Sequence, residues 1–411
     1  MTHGGGWMTV TGVPVSRADD LLGASYQLYR YTGTNETNKT ILRTVSYALP
    51  AVLHAHVQTV SPTTYFASPH TLQQTPRKLS REEAATKVNV TSGEPLAARW
   101  WAVNGVVPEF VRWLYKTTSY VPTSPDNVLA VVGFKDDLPS QEDLTAFMTD
   151  LRTGATNATF VVLPVNGGPS EYNPWQRPSF EANMNIQYTE AITYPVQHVY
   201  YSAGGLMMRY PDSNEPCPGD SYLEWFNYVL SQQYIPQTIS ISYGIEERHL
   251  PLEYAIALCE LFVHLGVRGV SVLFSSGDDG VGPEECRDGY GGVQFVPNFP
   301  ASCRCSITKS ITLYLFASAG YTSLTNSHGF AGPFVTSVGG TTGFMPEIAA
   351  SLSGGGFSNY FLRPSYQDVA VEAYLQRLNN LRDGLYDGLY KCVFSAVNVT
   401  RPHSLPFVKF V

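Results

Sequence analysis

The chain has 411 residues, room for two or three ordinary domains or for one large α/β domain with an appendage. Its net charge of −8 and its lack of any basic run argue against nucleic acid as a partner, and no apolar run approaches a membrane span. Hydrophobic residues make up 44% and support a sizeable core, whereas charged residues at 15% fall well below the usual quarter or so, which leaves a surface whose charge changes little in acid.

The opening "MTHGGGWMTV" has neither the basic start nor the apolar centre of a signal peptide. Asn-X-Thr sequons at Asn35, Asn38, Asn89, Asn157 and Asn398 nevertheless fit a secreted glycoprotein, and the natural N-terminus is expected upstream of Met1. The six cysteines lack metal-site spacing, and Cys286 and Cys303 flank a polar loop that they could bridge.

Residues 1–66 read as one small α+β unit: a strand, a helix with Ser16 as N-cap, further strand and a short helix. Residues 67–99 are polar and rich in Pro and Thr, the composition of a linker open to proteolysis. A regular alternation follows. Strands are expected at 127–134, 158–165, 197–204, 238–244 and 269–277, with helices at 180–194, 221–233 and 252–266 and another capped by Ser140 with Asp143 three residues on. Such alternation means a doubly wound, mainly parallel sheet covered by helices on both faces.

Open sheets of this kind bind ligands at the carboxyl ends of their strands. Three ends stand out: Gly204, "SYG" at 242–244, and the "SGD" of "VLFSSGDDGVG", which carries Asp278. Ser242 to Gly244 could offer an extended backbone edge to a peptide. On the helix at 180–194, Glu181 and Asn185 are four apart and share a face, and the apolar Ala182, Met184 and Ile186 around them place that carboxylate on a partly buried turn. A carboxylate there needs a partner or a chemical role. Asp279 reads as a turn residue.

"FEANMNIQY", "ISYG", "VLFSSGDDGVG", "FPASC", "PFVTSVGGTT" and "SGGGFSNYFLRPSY" fall in the order found in the sedolisins. The chain thus resembles the serine-carboxyl peptidases, which have a subtilisin-like fold and include secreted fungal tripeptidyl-peptidases; residues 1–66 resemble the later part of that family's activation prodomain. The resemblance implies that Glu181 is the general base toward a nucleophilic serine. It puts Asn185 where the family has a supporting aspartate, makes Asp278 the donor to the oxyanion, and lays Ser242 and Gly244 along the substrate backbone. A carboxylate only accepts hydrogen bonds, so Asp278 could donate only when protonated, which implies work in acid.

The chain departs from the family in ways that set further expectations. The family's serine lies in a Gly-Thr-Ser stretch after "SGGGFS", and no such stretch occurs up to Val411. The resemblance therefore implies a catalytically inactive chain, or a peptide-binding pseudoenzyme, truncated before the family's calcium loop and holding no metal or other cofactor. The peptidase domain is expected over 100–390, interrupted by a foreign insertion at 304–332 and followed by a foreign tail at 391–411. The expected partners are peptide or protein substrates, without nucleic acid or membrane, bound by a monomer.

Overall fold

The computed structural model describes residues 2–4, 7–10, 12–30, 40–54, 56–61, 63–64, 70–71, 106–134, 136–171, 180–204, 221–247, 250–280, 297–303, 335–342, 347–350, 352–355, 358–361 and 367–380. The segments 304–332 and 391–411, Cys286, most of 67–99 and the sequons other than Asn157 lie outside the described residues.

The N-terminal part holds β1 (Thr2–Gly4), β2 (Trp7–Thr9), α1 (Val15–Leu22), β3 (Gln27–Arg30) and β4 (Thr40–Arg43), with β1–β2 and β3–β4 pairing as antiparallel ribbons. Helix α1 begins two residues earlier than expected. Pro14, not Ser16, is its N-cap, and no side chain caps it; proline's fixed φ suits the helix entry without a hydroxyl. Two residues of the expected linker form β5 (His70–Thr71).

From residue 108 onward the expected alternation appears. Helix α2 is Pro108–Leu114, followed by β6 (Val128–Phe134), α3 (Gln141–Leu151), β7 (Phe160–Val165), α4 (Phe180–Thr193), β8 (Gln197–Ala203) and α5 (Ser221–Ser231). Then come β9 (Thr238–Ile241), β10 (Tyr243–Glu246), α6 (Leu252–Val267), β11 (Ser271–Ser275), β12 (Asn298–Phe299) and β13 (Val335–Val338). The strands β14 (Thr341–Thr342) and β15 (Ile348–Ala349) form a ribbon, and α7 is Asp368–Asn380. Ser140 caps α3 as expected, its hydroxyl oxygen accepting from the Asp143 amide at 3.2 Å.

Six strands make one parallel sheet in the order β13-β11-β9-β6-β8-β7. Central strand β6 shows why it is apolar throughout. Ala130, Val132 and Phe134 join a core built with Trp225, Phe226, Leu258 and Phe262 of α5 and α6, while Val131 joins one built with Leu144, Met148, Ala182 and Ile186 of α3 and α4. A strand buried on both sides has no face for polar residues. The chain runs β6, β7, β8 on one side of the sheet and then crosses to β9 and β11 on the other. The carboxyl ends of β6 and β9 therefore flank a switch point, where a crevice opens.

Two expectations are corrected. The run 238–244 is not one strand: β9 ends at Ile241, and β10 leaves for a separate three-stranded sheet ordered β12-β10-β5. Ser242 is the break, and its side chain is thereby released from the ladder. Cys303 does not pair with Cys286; it forms a disulfide with Cys259 of α6. Packing decided this, since "FPASC" folds back against α6 and sets the two Cα atoms 5.6 Å apart.

Candidate active site

Three segments at the carboxyl ends of strands and one helix supply the site. Glu181 lies in the first turn of α4, Asp137 follows β6, Ser242 follows β9, and Asp278 follows β11. Glu181 is only 3% exposed. The amide of Asn185 donates from Nδ2 to Glu181 Oε1 at 2.9 Å, and the Ser242 hydroxyl donates to Asn185 Oδ1 at 3.2 Å. The four-residue spacing read from the sequence thus becomes a direct contact, and Ser242 enters through its side chain at the strand break. The other carboxyl oxygen of Glu181, Oε2, is buried and has no hydrogen-bond partner among the described residues.

Burial pushes the Glu181 carboxyl up to about 7, because the charged form loses its water. The hydrogen bond from Asn185 and the nearby Ser242 hydroxyl oppose that rise, while the negative charges of Asp278 and Asp137 add to it. Asp278 is thus close enough to be felt at Glu181 although the two belong to different loops. Asn185 is uncharged and donates, so it favours the ionised Glu181; a second carboxylate at that position would oppose it.

Asp137 is a site residue that the sequence did not single out, though "FKDD" at the end of β6 offers the same signal as "SGDD" at the end of β11. Its carboxylate Oδ2 accepts a hydrogen bond from the Tyr243 hydroxyl, and its backbone oxygen accepts one from Tyr200 at 2.8 Å. Tyr200 reaches it by crossing Gly133, where a Cβ would lie 1.7 Å from the phenol oxygen. Burial and neighbouring carboxylates hold both phenols well above their usual range, so they act as donors.

The turn bearing Asp278 is gripped from several sides. The Ser276 amide donates to Val338 O at 2.8 Å, Gly354 N donates to Gly277 O at 2.7 Å, and Gly280 N donates to Leu352 O at 2.8 Å. A Cβ on Gly354 would lie 1.9 Å from Ser276 O. The glycine-rich Ser353–Gly355 segment is therefore a backing for this turn. Asp278 and Asp279 are half-buried. Gly204 stands apart from this cluster; its amide donates to Val165 O at 2.9 Å and its oxygen accepts from Asn166.

Beside the site, β10 pairs antiparallel with β5, Tyr243 opposite Thr71 and Gly244 opposite His70. Tyr243 and Gly244 therefore hold two residues of extended chain by backbone pairing. No group of three or more His, Cys, Asp or Glu lies where it could hold a metal ion among the described residues. None of the described helices is long and apolar enough to cross a membrane.

Comparison with known proteins accords with this layout. Residues 1–66 match the family described as "Pro-kumamolisin, activation domain". Tripeptidyl-peptidase SED2 of Arthroderma otae is 32% identical over 392 residues, covering 93% of this chain and 59% of the relative. A probable tripeptidyl-peptidase SED2 of Arthroderma benhamiae is 33% identical over 382 residues, covering 91% and 58%. The chain thus spans about three fifths of the length of these curated relatives. A solved Pseudomonas sedolisin, a serine-carboxyl proteinase, overlaps 64% of this chain and 66% of its own at 20% identity and a TM-score of 0.43, a loose likeness. With the ordered motifs and the N-terminal match, the identity shared with tripeptidyl-peptidases along nearly the whole chain supports its likeness to the sedolisin family.

Proposed function

We propose that residues 1–411 carry the acid–base and substrate-holding part of a serine-carboxyl peptidase acting in acid, with a subtilisin-like fold. One observation carries this reading above the others: a buried glutamate with an unpartnered oxygen feels Asp278 across the strand ends, beside a backbone edge that already holds an extended segment. In this reading the ionised form of Glu181, a minority in acid because burial lifts the carboxyl to about 7, takes through Oε2 the proton of an attacking serine hydroxyl, and the resulting alkoxide adds to the peptide carbonyl. Protonated Asp278 donates to the oxyanion that forms. Asn185, held by Ser242, keeps Glu181 oriented and favours its charged form. Such an oxyanion donor is worth roughly 10²–10³ in turnover.

The relatives' name points to release of tripeptides from a free N-terminus, with internal cleavage as the other mode. Residues 1–66 would form part of an activation domain, 67–99 the linker and 100–390 the peptidase domain. The Cys259–Cys303 disulfide and the exposed sequon at Asn157 support a secreted, glycosylated protein. The described residues offer no cluster that would hold the calcium ion known in the family.

No Gly-Thr-Ser stretch lies between Gly354 and Val411. We therefore infer peptide binding without turnover for residues 1–411 taken alone. The test incubates it with a fluorogenic peptide bearing a free N-terminus at about pH 4 and about pH 7, bracketing the carboxyl range. Binding in acid that is weakened by Asp278→Ala, with no hydrolysis, is the expected result. Hydrolysis abolished by both Glu181→Gln and Asp278→Ala would overturn the assigned inactivity and leave the peptidase site standing. A correctly folded chain that neither binds nor cleaves at either pH would overturn the site assignment itself.

A further inference from the structure

We infer that Asn298, a residue with no part in the chemistry above, is the positioning residue that aims the Asp278 turn at Glu181. Asn298 sits on β12 and is 9% exposed. Its Nδ2 donates to the backbone oxygen of Ser276 at 3.1 Å, two residues before Asp278. The contact depends on Gly277, whose φ of +100° suits glycine and whose missing Cβ would fall 2.1 Å from Asn298 Nδ2. The amide therefore lies flat against the turn, in space that any side chain at 277 would take.

What holds Asn298 also explains its reach. Strand β12 pairs with β10, Asn298 opposite Glu246 and Phe299 opposite Ile245. The Ser302 amide closes back on Asn298 O at 2.8 Å, and Cys303, one residue further, is bonded to Cys259 of α6. One side chain thus joins the strand that carries the backbone edge to the turn that carries Asp278. The backbone hydrogen bonds with Val338, Leu352 and Gly354 fix the height of that turn, and Asn298 fixes the peptide at Ser276–Gly277 from the opposite strand. Besides Asp278, the titratable groups that bear on Glu181 or lie in its network are Asp137, Tyr200 and Tyr243. The hydrogen bonds of Asp137, Tyr200 and Tyr243 run among themselves and the backbone, apart from the Asn298 amide.

The inference rests on the reading that Asp278 faces Glu181, and the experiment separates the two. The pH at which wild type loses stability relative to Glu181→Gln marks the Glu181 midpoint. That midpoint is measured by urea denaturation in wild type, Asp278→Asn, Asn298→Ala and the double variant. Asp278→Asn removes a like charge and should lower the midpoint by about one pH unit. If Asn298 aims Asp278, Asn298→Ala should lower it as well, and Asp278→Asn should add little in that background. Amide exchange at Gly277–Gly280 should quicken about fivefold in Asn298→Ala, the scale of one broken hydrogen bond, with β9 unaffected. A stability loss from Asn298→Ala that is equal at all pH, with the Asp278→Asn effect undiminished, would overturn the positioning role. No midpoint change in Asp278→Asn itself would instead overturn the facing geometry on which the inference rests.

Discussion

Replacing Glu181 by Gln tests the electrostatics of the site without any need for turnover. The carboxyl titrates near 4.5 in the unfolded chain and near 7 in the folded protein. Below 4.5 both states keep the proton, and stability is unaffected. Between 4.5 and 7 the unfolded chain releases it while the folded protein holds it, so stability falls as pH rises. Above 7 both states are ionised and the penalty is constant. Each pH unit of that interval is worth about 1.4 kcal/mol, which makes the full penalty about 3 kcal/mol. That is a large part of the roughly 5–15 kcal/mol that holds a typical domain together. Gln has the same shape, accepts from Asn185 through its oxygen, and has no proton to release. Glu181→Gln should match wild type in urea denaturation at about pH 4 and exceed it by about 3 kcal/mol at about pH 8, with tryptophan fluorescence as the readout. An equal difference at both pH values would refute the reasoning, since a purely steric change in packing does not titrate.

Three other outcomes are expected. Asn185→Asp sets two carboxyls in contact that cannot both ionise, so it should melt near wild type in acid and several degrees lower at neutral pH, seen by scanning calorimetry at the two pH values. Gly354→Ala drives a methyl into the Ser276 backbone oxygen, 1.9 Å away, and should cost about 1–3 kcal/mol in chemical denaturation; an unchanged midpoint would mean that the glycine-rich segment does not back the turn. Replacing Cys259 and Cys303 together by Ala opens a link spanning 44 residues and should cost about 2–4 kcal/mol, while free-thiol labelling of the unfolded wild type should find neither cysteine.

Much of the sheet was legible in the chain itself. The apolar runs of β6 to β9 and β11, separated by helical periods, named the parallel core to within a few residues. Ser140 announced the start of α3. The spacing of Glu181 and Asn185 foretold a shared face, and the fold turns that face into a hydrogen bond of 2.9 Å. Short-range features of this kind survive because they depend on residues within one or two turns of each other. The end of β9 at Ile241 was not legible, because "TISISYG" alternates without a break and only the diverging sheets separate its halves. Nor was the Cys259–Cys303 bond, whose partners meet only when the turn after β12 folds onto α6.

The sequence alone determined that strands and helices alternate, that an isolated glutamate sits on a half-apolar helix face, and that an acidic turn closes a core strand. All of these follow from local periodicity and turn chemistry. Only the tertiary structure decided that Asp137, Ser242 and Asp278 converge on the Glu181–Asn185 pair, and that burial raises the proton affinity of Glu181. Charge coupling and desolvation depend on distances through space, and the chain brings these residues together from three strand ends and one helix far apart in sequence.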